Sequence, residues 1–353
     1  MNLETYLREA VEQKASDIFI LPGRPLTFKV NNRFFDITPE KLTPEQTKNF
    51  VKAIYNMAEV SLFQEFSTDD DLAIMIPGVS RFRVNVFRQR FTLGAIIRVV
   101  KMTIPTPEEV NVPQAIINMS NLSRGIVLVT GTTGSGKSTT LACVIDKINV
   151  TRDCHIVTLE EPIEYRHDHK KAIVTQREIG ADTPDYKTAL KSVMRQTPDV
   201  ILVGEMRDHE TISTAISAAE TGHLVFSTLH TLGAANTIER IIDVFPSTQQ
   251  NQIRTQLALT LQAIISQQLI PTADGNLHPV FEILTVNTVV KNLIREGKTY
   301  QINNIITTSN NEGMIDMDTS ILSVFKRKLI TKKNALMYAF NSAEMAKRID
   351  MIK

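Results

Sequence analysis

Gly131-Thr132-Thr133-Gly134-Ser135-Gly136-Lys137-Ser138, continuing into Thr139, is the stretch whose reading decides the fold, because it fits GxxxxGK[ST]. An apolar strand pattern at residues 126–130 leads in and a helical pattern at 138–148 leads out, the context such a loop requires. There the glycines let successive amides curl around a phosphate and the helix N-terminus adds its positive end. Lys137 then reaches the phosphates and Ser138 reaches Mg2+. A chance glycine-rich loop has no reason to carry both flanking elements.

Outward from this loop, short apolar segments at 156–159, 200–203 and 224–228 alternate with helical stretches, which predicts a parallel sheet wrapped by helices. Residues 199–205, DVILVGE, form an apolar strand ending in an acid, expected beside the P-loop strand. Glu205 is the candidate Mg2+ holder, through a coordinated water, and Gly204 stands where such ATPases commonly carry Asp. TLEEPIE at 158–164 sets three carboxylates at another strand end. One of them is a candidate to orient and deprotonate an attacking water, against the plainer reading of a solvated acidic loop. His223 and His230 bracket residues 224–228 at an odd offset, so they face opposite ways and argue against a shared metal. What lifts them above structural histidines is the polar string Ser227-Thr228-Leu229-His230-Thr231 at the strand's C-terminal end, the edge where ligands of open α/β sheets sit.

Residues 1–101 read as a separate α+β module. It begins with an amphipathic helix carrying Leu3, Leu7 and Val11, and continues as a hairpin meander with turns at Pro22-Gly23 and Asn31-Asn32. A helix at 44–57 and three alternating stretches at 71–76, 81–87 and 94–100 follow. Arg81, Arg83, Arg88, Arg90 and Arg98 crowd two adjacent strands, with Arg81 and Arg83 on one face. They are either a solvated β face or arginine fingers for a neighbouring subunit's γ-phosphate. Pro105, Pro107 and Pro113 interrupt regular structure and place an interdomain linker at 102–113, leaving 114–353 as the second domain. Beyond Pro246 the chain is expected to be mostly helical, opening with a long amphipathic run of Ile253, Leu257, Leu261, Ile264 and Ile265.

The bulk numbers narrow the classes. Thirty-nine Lys+Arg against 38 Asp+Glu leave a net charge of +1, so the chain as a whole is not drawn to nucleic acid or anionic lipid. With no Trp and few aromatics it also lacks the stacking surface of a nucleic-acid translocase. Cys143 and Cys154, with no CxxC, fit a reducing compartment and exclude a four-cysteine zinc site. The N-terminus has no apolar signal region, and the longest apolar candidate, 257–270, is broken by Thr260, Gln262, Ser266, Gln267 and Gln268. A cytoplasmic protein without a transmembrane segment is expected.

Together the motifs resemble the type II/IV secretion ATPases and, within them, the pilus retraction motors. TLEEPIE is similar to the family's Asp box, DVILVGEMRD (199–208) to its Walker B, AAETGHLVFSTLHT (218–231) to its His box and RFRVNVFRQR (81–90) to its arginine strand. VVKNLIREGK (289–298) resembles its retraction motif. The resemblance implies an α/β fold, with an N-terminal PAS-like α+β domain and a RecA-like P-loop ATPase domain ending in helices. It implies ATP and Mg2+ as ligands, phosphate binding by residues 132–139, Ser138 and Glu205 on the metal, and Glu164 as general base. His223 and His230 would sense the γ-phosphate, while Arg83 and Arg98, and secondarily Arg81, would complete the site across a subunit boundary.

The implied assembly is a homohexamer at the cytoplasmic face of the inner membrane, acting on a platform protein and through it on pilin, with no nucleic acid. Its work would be ATP-driven pilus retraction and twitching; the alternatives are pilus assembly, another secretion motor of the family and, more distantly, a RecA-like translocase. Assembly and export relatives usually add N-terminal domains and a four-cysteine zinc motif, which this chain does not show. Two departures stand out: Glu161 replaces the Asp of the Asp box, and Val289-Val290-Lys291 replaces Ala-Ile-Arg, losing a planar bidentate donor.

Overall fold

The computed structural model describes residues 2–30, 33–58, 69–100, 103–309 and 313–352. The expected Asn31-Asn32 turn and the first residue of the 102–113 linker lie outside them. Two compact units divide between Thr103 and Ile104.

The first unit is built on one antiparallel sheet of six strands: β1 (Asp17–Ile20), β2 (Thr27–Val30), β3 (Arg33–Asp36), β4 (Asp69–Ile76), β5 (Ser80–Gln89) and β6 (Thr92–Val100), in the order β3-β2-β1-β6-β5-β4. Two helices, Leu3–Glu12 and Pro44–Met57, supply Leu3, Leu7, Phe50, Val51 and Ile54 to the same core as Ile18, Ile20, Phe28 and Ile97. The second helix starts at a reciprocal capping box between Thr43 and Gln46, worth about 1 kcal/mol at such positions. Along β5 from Ser80 to Val86 the alternation holds: Phe82, Val84 and Val86 are buried, and Arg81 and Arg83 take the other face. Arg83 lies directly opposite Arg98 in the β5–β6 ladder, and Arg98 opposite Asp17 in the β6–β1 ladder. The Asp17 carboxylate takes a 3.0 Å hydrogen bond from Arg98 Nε, offsetting the like-charge pair.

The second unit carries a seven-stranded sheet: β7 (Gly125–Thr130), β8 (His155–Glu160), β9 (Ile173–Glu178), β10 (Val200–Val203), β11 (Leu224–Leu229), β12 (Leu261–Pro271) and β13 (Leu277–Thr285), ordered β13-β12-β7-β11-β10-β8-β9. All neighbours are parallel except the β12–β13 hairpin. β7, β10 and β11 are buried at every position, as parallel strands covered by helices on both faces must be. Separate apolar cores fill the two faces. Residues 104–112 belong to this unit: Val112 is buried beside Ile116, and the Cys143 thiol donates to the Pro105 carbonyl at 3.3 Å.

Two expectations are corrected here. The run from Ile253 to Ile265 is not one helix: the helix Ser247–Thr260 holds Ile253 and Leu257, but Leu261, Ile264 and Ile265 belong to strand β12. A strand buried on both faces reads as a continuous apolar run, so its period cannot be told from that of a buried helix. The helical part proper starts at Thr288–Arg295 and ends with Met317–Lys326, Lys332–Tyr338 and Ser342–Asp350 packed on β12 and β13 through Ile270 and Val280. Nor does the Walker B strand β10 lie beside the P-loop strand β7, because β11 intervenes. Among the described residues no helix is long and apolar enough to cross a membrane.

Candidate active site

The C-terminal edge of the second sheet opens into a cavity of about 560 Å3 that gathers the P-loop, the acid loop after β8, the end of β10 and the end of β11. Thr133, Gly134, Gly136, Lys137, Ser138 and Thr139 line it, and so do Glu164, Glu205 and His230. The first glycine of the P-loop is packed too tightly for a side chain: a Cβ on Gly131, whose φ is +146°, would sit 2.3 Å from the Gln267 carbonyl oxygen of β12. Lys137 opens the helix Lys137–Thr151, and its ammonium donates back to the carbonyls of Gly131 at 2.8 Å and Thr132 at 3.0 Å. Burial holds its pKa below the ordinary lysine value, with Glu205 and Glu164 pulling it back up.

The intervening strand β11 explains how the P-loop and Walker B ends communicate. Two sheet spacings of about 4.8 Å separate β7 from β10, roughly 10 Å in all. His230 fills that gap: its Nδ1 lies 3.5 Å from Thr133 Oγ1 and its Nε2 3.3 Å from Glu205 Oε2. Thr228, from the same strand end, donates to the Gly204 carbonyl at 2.6 Å. His230 is thus the bridge between the glycine-rich loop and Glu205. His223 sits at the other end of β11, where its Nδ1 is 2.9 Å from the Ala218 carbonyl and 3.1 Å from Thr221 Oγ1, and it is not part of this cavity. The structure brings one of the two expected histidines to the site.

Glu205 has a partner that sequence reasoning missed. Arg207 Nε lies 2.7 Å from Glu205 Oε2 and lines the cavity. The signal was available, since two residues apart in extended chain places both side chains on one face. Tyr186, in the helix Tyr186–Val193, was also missed and carries no sequence signal; a Cβ on Gly204 would come within 2.8 Å of its hydroxyl. Burial raises the Tyr186 phenol well above its ordinary value, and Glu205, Glu161 and Glu160 add to the rise. That close approach accounts for Gly rather than Asp at 204.

Of the three carboxylates in the acid loop, Glu164 and Glu161 are exposed to the cavity while Glu160 is drawn in at the end of β8. Burial pushes the Glu160 pKa up to about 7, against hydrogen bonds from Thr158 and Gln176 that pull it down. The neighbouring His167 is buried in the cavity wall, and burial lowers it to about 4. Beside the P-loop helix a smaller annex of about 250 Å3 shares Gly136, Thr139 and Leu269 with the main cavity and is walled by Val112, Leu277 and Pro279. Among the described residues no cluster of three or more His, Cys, Asp or Glu side chains can hold a metal ion by itself. The Ser138 hydroxyl and the Glu205 carboxylate do face one cavity, a hard-oxygen pair suited to Mg2+, which takes few protein ligands and completes its shell with phosphate and water.

A phosphate-wrapping loop on a parallel sheet, an acid two strands away and a histidine between them define a P-loop ATPase. The chain belongs to the type II/IV secretion system protein family, which it matches over residues 1–304. It is 42% identical to the Type IV pilus retractation ATPase PilT of Pseudomonas aeruginosa over 95% of this chain and 97% of that protein. It is 39% identical to the Type IV pilus ATPase PilU of the same organism over 98% of this chain and 90% of that one. A Neisseria gonorrhoeae twitching motility protein matches at 45% over 87% of this chain and 82% of that protein. Among solved structures, the pilus retraction motor PilT with bound ADP superposes with a TM-score of 0.88 at 40% identity, covering 98% of each chain. The Legionella pneumophila ATPase DotB gives 0.80 at 29% identity, covering 95% of this chain and 94% of that one.

Proposed function

We propose that this protein is a ring-forming, ATP-driven motor of type IV pilus retraction, assembled as a homohexamer on the cytoplasmic face of the inner membrane. ATP enters with its phosphates on the amides of residues 132–139 and its base in the annex walled by Val112, Leu277 and Pro279. Lys137, its pKa depressed yet drawn toward two carboxylates, neutralises phosphate charge. Ser138 and, through water, Glu205 would hold Mg2+, which supplies charge compensation at the phosphates when bound.

Glu164, exposed to the cavity and next to the P-loop helix through Tyr165, orients the attacking water and takes its proton. His230, reaching Thr133 on one side and Glu205 on the other, is placed to register whether a γ-phosphate is present. Arg83 and Arg98, together with Arg81 on the same face of β5 as Arg83, act on the γ-phosphate in a neighbouring subunit. Turnover is passed to a membrane platform protein and so to pilin.

The observation that carries this reading is end-to-end agreement with an ADP-bound retraction motor, both units included, together with the Thr133–His230–Glu205 bridge. The DotB likeness supports a second reading, the motor of another secretion apparatus. Deleting the gene and imaging surface pili tests both. A retraction motor leaves many pili and no twitching, restored by the wild-type gene but not by Lys137→Ala. An assembly motor leaves bald cells, and a motor of a different apparatus leaves pili and twitching intact; either result refutes the proposal.

A further inference from the structure

One side-chain amide holds three points of the acid loop. Gln176 lies in β9, in register with Thr158 of β8. Its Nε2 donates to Glu160 Oε1 at 3.1 Å and to the Tyr165 carbonyl at 2.9 Å, while its Oε1 accepts from the His167 amide at 2.7 Å. Two residues along the same face, Glu178 accepts from the Ile163 amide at 3.0 Å. The backbone is therefore fixed immediately before and immediately after Glu164. Tyr165 and His167 turn into the protein, and Glu164, just before them, turns out into the cavity. The Tyr165 hydroxyl then lies 2.9 Å from Thr139 Oγ1 in the first turn of the P-loop helix, tying the loop to the element that binds phosphate.

We propose that Gln176 is a positioning residue for ATP hydrolysis: it sets Glu164 against the P-loop, and Tyr165 locks that placement onto Thr139. This rests on the reading of Glu164 as general base. The residue type is specific, because only an amide supplies two donors and an acceptor at that length. Glutamate would keep the acceptor for His167 and lose both donors, beside a buried carboxylate. The clamp also works against repulsion, since Glu160, Glu161 and Glu164 share one short loop and would otherwise spread apart.

The test is steady-state hydrolysis of MgATP by the assembled full-length protein, with thermal unfolding and binding of fluorescent ADP as controls. Gln176→Leu should lower kcat by about 10²-fold, the loss a displacement of about 1 Å of a reacting group brings, with KM within about threefold of the parent. Gln176→Glu, nearly isosteric, should fall with it. Tyr165→Phe, which removes a single hydroxyl, should cost about threefold to tenfold in kcat.

Because Gln176 acts through Glu164, Glu164→Gln combined with Gln176→Leu should be no slower than Glu164→Gln alone. The proposal is overturned if both Gln176 variants keep parental kcat, if they raise KM and leave kcat alone, or if Gln176→Leu slows the Glu164→Gln protein by its full factor again. A Glu164→Gln protein with parental turnover removes the general-base reading itself, and the clamp with it. A slow Glu164→Gln protein beside unimpaired Gln176 variants removes only the clamp.

Discussion

Gly204→Ala tests the reason for glycine before the Walker B acid. The added Cβ would lie 2.8 Å from the Tyr186 hydroxyl, 3.1 Å from the Leu159 carbonyl oxygen and 3.3 Å from Glu160 Cα. The last two are backbone, held by the 2.7 Å hydrogen bond from Gly204 N to Leu159 O within the parallel sheet, so they cannot retreat. Tyr186 must then move into the cavity it lines beside Glu205 and Glu160. Overpacking of this kind costs about 1–3 kcal/mol. At about 2–4 °C per kcal/mol for a unit of this size, the melting transition should fall by roughly 2–12 °C. Turnover should drop as well, since the displaced phenol crowds Glu205. Calorimetry of the purified protein measures the shift, and Tyr186→Phe in the same background should recover part of it by removing the nearest clash. A Gly204→Ala protein that melts within a degree of the parent, or a double variant with no recovery, would refute the steric account.

His230→Ala should reduce kcat by about 10²- to 10³-fold, the range for losing one preorganised polar contact to developing charge, while ADP affinity measured by fluorescence titration stays near parental. Lys137→Ala should abolish measurable hydrolysis in a phosphate-release assay and weaken ATP binding, because the loop loses the cation that neutralises the phosphates. The pH dependence of stability should carry two opposed slopes. Glu160 is raised from 4.5 to about 7, so the folded state binds more protons than the unfolded one between those values and stability falls as pH rises through that window. His167 is lowered from 6.5 to about 4, so the unfolded state binds more protons there and stability is lost as pH drops from 6.5 toward 4. Thermal melts of Glu160→Gln should therefore gain on the parent as pH rises from 4.5 to 7; parallel profiles would show that Glu160 is not held as described.

What the sequence revealed, and what it hid, follows from the range over which each feature is determined. The P-loop was legible because its requirements are local: glycines at fixed offsets, a strand before and a helix after, all within some twenty residues. Alternation in β5 placed Arg83 on the outer face for the same reason, since side-chain period in a strand needs no partner. Strand order is different in kind. Nothing in residues 199–205 says whether β10 touches β7, and the interposed β11 is what turns His230 from one histidine of a pair into the bridge between Thr133 and Glu205. The same topology leaves His223 at the far end of a six-residue strand, about 20 Å away at 3.3 Å per residue, so equal offsets from the strand gave the two histidines unequal places. Gln176 and Tyr186 were invisible because each works through contacts with chain distant in sequence, and an amide or a phenol announces no chemistry until its partners surround it. The β12 error has a related source: a strand buried on both faces discards the polar alternation that would have named it, leaving only length and β-branched content to weigh against the helix that precedes it.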